Sequence, residues 1–238
     1  MNTNFQNTYN YPVADALPEE RASFIRKTYM HLAGAVLLFV LMEAYLVTSG
    51  AGLWIAETML GGNFSWFIVL AAFMGVSVLA QWWANSQTSK GLQYMGLLLY
   101  TVAEAIIFLP LLFLAAARTN SGAIFAQAGI MTLGLFAGLT AVVFLTRKDF
   151  SFLAPVLTIG FFLSLGFIAT SMLFGFSLGN LFALLMVAFA AGAILYNTSN
   201  ILHQYRTDQH VAASLTLFAS VALLFWYILQ IFMGSSRR

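Results

Sequence analysis

Long apolar segments separated by short polar connections make up most of the 238-residue chain. Seven of these segments are about 20 residues long, the length that a helix rising about 1.5 Å per residue needs to cross a ~30 Å hydrocarbon core. The pattern therefore predicts an all-α protein, a polytopic bundle of seven transmembrane helices. The predicted spans are 29–48, 66–84, 91–115, 123–145, 152–174, 181–203 and 211–233.

The interval 150–205 contains no charged residue and is too long to be a single helix. Within it, the segment FGFSLGN at 174–180 has two glycines, a serine and an asparagine, which is typical of a turn between two spans. Residues 1–27 are polar and contain Pro12 and Pro18, which predicts an irregular tail. The chain is thus divided into a tail, 1–27, and a transmembrane domain, 28–234.

Composition supports a membrane protein whose main partner is the lipid bilayer. Hydrophobic residues make up 61% of the chain and charged residues 8%, against roughly a quarter charged in soluble domains. Ten basic and eight acidic residues nearly balance without a basic cluster, so nucleic-acid binding is not expected. The chain has no cysteine, which excludes disulfides, thiolate metal sites and cysteine catalysis.

Basic residues are concentrated on one side of the predicted bundle, the side of the N-terminal tail. The excess of lysine and arginine in cytoplasmic loops predicts that this side faces the cytoplasm. With seven full spans the C-terminus lies outside; if the last segment dipped in and returned, it would lie inside. The tail side carries Arg21, Arg26, Lys27, Lys90, Arg147, Lys148 and Arg206, and the other side Arg118, Arg237 and Arg238.

Two carboxylates, Glu43 and Glu104, fall inside predicted spans, where ionisable groups are costly and mark functional sites. Helix rise places them about 24 Å and about 20 Å from the tail-side edge, at similar depth. Pro110 follows Glu104 and leaves the carbonyl of Ile106 without its helical donor. Such oxygen atoms suit a proton or a cation such as Ca²⁺, so both glutamates are candidates for an ion pathway.

A purely structural role is the alternative for both glutamates. Glu104 would then be hydrogen-bonded to Gln127 or Tyr100 and hold helices together, and Glu43 would lie near enough to the outer edge to meet water. Which metal, if any, is bound stays open.

Signatures of enzymes are missing from the sequence. It has no GxSxG elbow and no HExxH zinc motif, and its histidines lie at or near span ends. No catalytic residue and no cofactor is predicted, apart from Ca²⁺ as transported cargo. Small residues at Gly134 and Gly138, and at Ala188 and Gly192, predict close helix contacts.

Three stretches of sequence resemble the Bax inhibitor family of membrane proteins. They are TRKDFSFL at 146–153, RKTYMHLAGAVLL at 26–38 and LYNTSNILHQYRTDQHVAASLTLF at 195–218. The resemblance covers about residues 24–233. It implies that the last helix is surrounded by the other six, and that the protein leaks Ca²⁺ in a pH-dependent way. Bacterial members are also associated with regulating a membrane protease, and a bacterial inner membrane is the implied location.

Two positions depart from the family pattern, in which a pair of aspartates shares a proton. Asn197 stands where the sixth span usually has Asp, and Ser220 stands at the corresponding position of the seventh span. Helix rise puts these two side chains about 12 Å and about 14 Å above the tail-side edge. We therefore expect an Asn197–Ser220 hydrogen bond that closes the sixth span on the seventh without titrating between about pH 5 and 8.

Two functions are compatible with the sequence. The first is a cation (Ca²⁺) leak or transport protein with altered or absent aspartate-based pH sensing. The second is a non-conducting membrane regulator that binds partners such as a membrane protease, in which Glu43 and Glu104 only hold helices together.

Overall fold

The computed structural model describes residues 12–62, 65–87, 89–119 and 122–235, and these residues form eight α-helices after a 3-10 turn at Val13–Asp15. Seven of the helices are long and apolar enough to cross a membrane, and α2 is a short helix between the first two. The helices are α1 (Pro18–Thr48), α2 (Ala51–Leu60), α3 (Ser65–Ala84), α4 (Lys90–Thr119), α5 (Ala123–Thr146), α6 (Leu153–Phe174), α7 (Gly179–His203) and α8 (His210–Ser235).

The irregular structure predicted for the tail is wrong for residues 18–27, because α1 begins at Pro18, well before its apolar stretch. Pro18 is its first residue, a position where the missing N–H of proline does no harm, and Glu19 and Glu20 lie in the first turn, near the positive end of the helix dipole. Residues 1–11 of the predicted tail lie outside the described residues. The division into a tail, 1–27, and a membrane domain, 28–234, stays a prediction.

The turn predicted at 174–180 is confirmed. Helix α6 ends at Phe174 and α7 begins at Gly179. Gly175 and Gly179 have φ of 73° and 70°, a left-handed conformation that glycine adopts without a steric penalty. Helix α8 is continuous over 26 residues, so it crosses the bundle instead of turning back within it.

Helix α8 occupies the centre of the bundle, as the resemblance implies, but five and not six of the other long helices pack closely against it. It packs against α1, α3, α4, α5 and α7, and residues such as Leu217, Leu224 and Leu229 are completely buried. Helix α6 lies at the periphery, packs mainly on α7 and has large apolar side chains such as Phe162 exposed. The apolar outer surface of the bundle fits a lipid environment.

Helices α3 and α4 approach each other closely at Gly96. A Cβ atom at Gly96 would lie 2.5 Å from the carbonyl oxygen of Ala80 and 2.6 Å from the amide nitrogen of Ala84. The contact predicted at Gly134 and Gly138 is wrong within this chain, because both face open space on α5.

The difference between these glycines gives a prediction about stability. Gly96→Leu should lower the thermal unfolding midpoint strongly, because the leucine side chain forces α3 away from α4, and overpacking typically costs about 1–3 kcal/mol. Gly134→Leu is the matched control and should leave the midpoint nearly unchanged. Thermal unfolding of the detergent-purified variants measures both, and equal midpoints would contradict the packing described here.

Candidate functional site

A cavity of about 1220 Å³ lies among α3, α4, α6, α7 and α8. It exists because α6 packs on α7 and does not close over α8. Three of the four predicted site residues line it: Glu104 from α4, Asn197 from α7 and Ser220 from α8. The bundle therefore brings residues that are far apart in sequence to one membrane-embedded space.

Glu104 is held by a residue one turn before it on α4. The hydroxyl group of Tyr100 donates a hydrogen bond of 2.8 Å to Oε1 of Glu104, and both side chains line the cavity. Gln127, the other partner considered from the sequence, is exposed on α5 and makes no such contact. The buried Tyr100–Glu104 pair presents a hydrogen-bonded carboxyl group to the cavity.

Glu43 is buried on α1 and does not line the cavity. Its side chain is 7% exposed, so the expectation that it meets water at the outer edge is wrong. Both of its carboxylate oxygens are buried without a protein hydrogen-bond partner. Helix α1, which carries Glu43, packs against α4, which carries Glu104. A buried carboxylate without a partner is costly unless a proton, a cation or water compensates it.

The expected hydrogen bond between Asn197 and Ser220 is present. Nδ2 of Asn197 donates to Oγ of Ser220 over 2.9 Å and to the carbonyl of Thr216 over 3.4 Å. Oγ of Ser220 in turn donates to the same Thr216 carbonyl over 3.0 Å. These bonds join α7 to α8 at one end of the cavity lining.

The sequence did not reveal how the loop between α5 and α6 is fixed. The backbone N–H of Phe150 donates to Oγ of Ser199 over 2.9 Å, and Ser199 Oγ lies 3.4 Å from Oδ1 of Asp149. His203 donates from Nδ1 to the carbonyl of Ser199 over 2.9 Å. The three side chains do not form a catalytic triad, because Ser199 is fully buried and lies between the other two. They anchor the loop on α7.

The segment before α1 covers the same end of the bundle. The N–H of Val13 donates to the carbonyl of Tyr205 over 2.8 Å, and the side chain of Arg21 binds the carbonyl of Val13. The hydroxyl group of Tyr205 is hydrogen-bonded to Oγ1 of Thr216 over 3.1 Å, and burial raises the pKa of Tyr205. Thr216 therefore connects Tyr205, which binds the segment before α1, to the Asn197–Ser220 contact.

Comparison with known proteins identifies the family. The model of the family described as "Inhibitor of apoptosis-promoting Bax1" matches residues 21–238. The chain belongs to the Bax inhibitor family. It is 31% identical to an uncharacterized protein of Pseudomonas aeruginosa over 230 residues, covering 93% of this chain and 95% of the relative.

Eukaryotic relatives match this chain over similar lengths. It is 30% identical to Bax inhibitor 1 of Schizosaccharomyces pombe, over 95% of this chain and 81% of the relative. It is 28% identical to protein LIFEGUARD 4 of Arabidopsis thaliana, over 93% and 89% respectively. No solved structure matches the chain. The family match and the seven long apolar helices together identify an integral membrane protein.

The loop anchored on Ser199 gives a prediction about acid stability. A hydrogen bond from the backbone N–H of Ser151 lowers the pKa of Asp149 below its usual value. A carboxyl group whose pKa is lower in the folded state stabilises the protein above its unfolded pKa, about 3.9, and loses that contribution as the pH falls. The stability difference between wild type and Asp149→Asn should therefore shrink on acidification.

Unfolding midpoints between about pH 6 and about pH 3 test this, because this range covers the titration of aspartate. Glu57→Gln, at an exposed position on α2, serves as the control carboxylate. A difference between wild type and Asp149→Asn that stays constant over this range would show that Asp149 does not act through its charge.

Proposed function

We propose that the protein is a cation leak or transport protein, with Ca²⁺ as the candidate cargo. The observation that carries the proposal is the position of Glu104, a membrane-embedded carboxyl group that lines a large cavity together with Asn197 and Ser220. Carboxylate, amide and hydroxyl oxygens are the ligands that Ca²⁺ prefers. Conduction also requires binding weak enough for the ion to be released, which an open cavity permits better than a closed cage of ligands.

Glu43 extends this pathway toward α1. Its carboxylate has no protein hydrogen-bond partner and α1 packs against α4, so in this proposal a cation or proton that reaches one glutamate changes the electrostatic cost of charge on the other. The two groups act together in this proposal, as a pair of carboxylates at similar depth.

The Asn197–Ser220 contact is the proposed closure between α7 and α8. It preserves a hydrogen bond where the family pattern has an aspartate pair, but neither side chain titrates between about pH 5 and 8. Aspartate-based pH sensing is therefore altered or absent in this proposal. The end of the bundle at which Asn197 and Ser220 join α7 to α8 would face the cytoplasm of a bacterium, because the basic loops lie on that side. The N-terminus would then be inside.

Flux in liposomes tests the proposed pathway. Glu104→Gln should lower Ca²⁺ flux at least about tenfold, because a neutral amide cannot offset the desolvation of the ion. The isosteric change keeps an acceptor for the Tyr100 hydroxyl, and Glu57→Gln controls for the loss of one acidic residue. A Glu104→Gln protein that conducts Ca²⁺ like wild type would remove Glu104 from the pathway.

The closure gives a second prediction about flux. Asn197→Ala should leave the pH midpoint of flux unchanged and lower stability by about 1 kcal/mol, the usual worth of an interhelical hydrogen bond in a membrane. The double variant Asn197→Asp with Ser220→Asp should add a new titration. A midpoint that moves in Asn197→Ala would show that position 197 takes part in sensing.

A non-conducting regulator that binds a membrane protease or another membrane protein is the second candidate. The observation that favours it is the open face of α5 at Gly134 and Gly138, which would let another transmembrane helix approach closely. Robust flux from protein that is purified without a stoichiometric partner would remove this candidate.

A further inference from the structure

The cavity that contains Glu104 opens sideways, between α3 and α6. Met74 and Val78 on α3 line it and are 43% and 71% exposed, and Phe161 on α6 lines it and is 43% exposed. Helix α3 packs on α4 and α6 packs on α7, so the two helices form the edges of the opening. Because both helices are long and apolar enough to cross a membrane, an opening between them faces the hydrocarbon of the bilayer along their length.

The walls of the cavity are rich in aromatic side chains. Each of the five helices contributes at least one: Phe73, Phe108, Phe161, Phe189 and Trp226. The faces of aromatic rings carry negative partial charge and attract cations, most strongly where water is excluded. The volume of about 1220 Å³ exceeds the roughly 300–1,000 Å³ of typical small-molecule sites, so a bulky ligand fits.

The described lining of the cavity contains one acidic side chain and no basic one. Among the described residues that line it, Glu104 is the single Asp or Glu, and none is Lys, Arg or His. The Tyr100 hydroxyl holds Oε1 of Glu104 in place. An anionic ligand would therefore meet a carboxyl group and no basic partner. A neutral apolar ligand would leave the charge of the carboxylate uncompensated.

We propose that this cavity binds hydrophobic organic cations, which enter from the bilayer between α3 and α6. The cation pairs with the Glu104 carboxylate, and its apolar groups contact the aromatic walls. The inference shares Glu104 with the proposed ion pathway, but it concerns binding and does not require Ca²⁺ flux.

Two ions of the same shape and opposite charge test the proposal. Tetraphenylphosphonium and tetraphenylborate are each equilibrated with the protein in lipid nanodiscs, and protein-free nanodiscs correct for partitioning into lipid. We expect saturable binding of the cation to the wild-type protein and none of the borate. Glu104→Gln should weaken binding of the cation at least about tenfold, the effect of removing a charged partner.

A second pair of variants tests where the cation binds. Ser164 on α6 is buried and lines the cavity, whereas its neighbour Leu163 is exposed and does not. Ser164→Trp should therefore weaken cation binding, because the indole group occupies part of the cavity, and Leu163→Trp should bind like wild type. The proposal is overturned if the borate binds as well as the cation, or if Glu104→Gln or Ser164→Trp binds the cation like wild type. The comparison of the two ions in wild type needs no substitution.

Ca²⁺ flux measured on the same preparations separates this inference from the proposed function. Charge-selective binding without Ca²⁺ flux would support the organic-cation site and reject the leak. Ca²⁺ flux with equal binding of the two ions would reject the site and leave the leak standing.

Discussion

The arrangement of this bundle depends on the burial of α8 against five other helices. A helix in that position must be apolar on every face, and each of its polar groups needs a partner inside the bundle. The hydroxyl groups of Ser214, Thr216 and Ser220 meet this requirement by bonding to backbone carbonyls of α8 itself. The side chain of Ser220 also accepts the hydrogen bond from Asn197, so Ser220 is hydrogen-bonded both within α8 and to α7.

The cavity follows from the one long helix that packs chiefly away from α8. Helix α6 uses α7 as its main support, and contacts such as Gly160 against the ring of Phe189 hold it there. Glu104 has a polar neighbour on its own helix, Tyr100, and both side chains line a cavity whose other walls are mostly apolar. A carboxyl group placed in this way is sensitive to whatever charge shares the cavity with it.

Features that follow from one helix at a time could be predicted from the sequence. The apolar stretches predicted the spans, and the glycines at 175 and 179 predicted the turn between two of them. The helix rise predicted that Asn197 and Ser220 lie at the same depth, where they form a hydrogen bond. Features that depend on which face meets a neighbour could not. Gly96 and Gly134 are both glycines in apolar helices, yet one touches a backbone and the other faces outward. The bond between Ser199 and the loop joins residues about 50 positions apart and has no local signal.

The central helix α8 follows the other seven described helices in sequence, and this affects the order in which the bundle can form. Synthesis runs from the N-terminus, so α1 to α7 are made before the 26 residues of α8, and until then the centre of the bundle has no helix to fill it. During that interval Tyr100, Glu104 and Asn197 lack the helix that later packs beside them. A deletion within α8 therefore removes the middle of the bundle and not its edge.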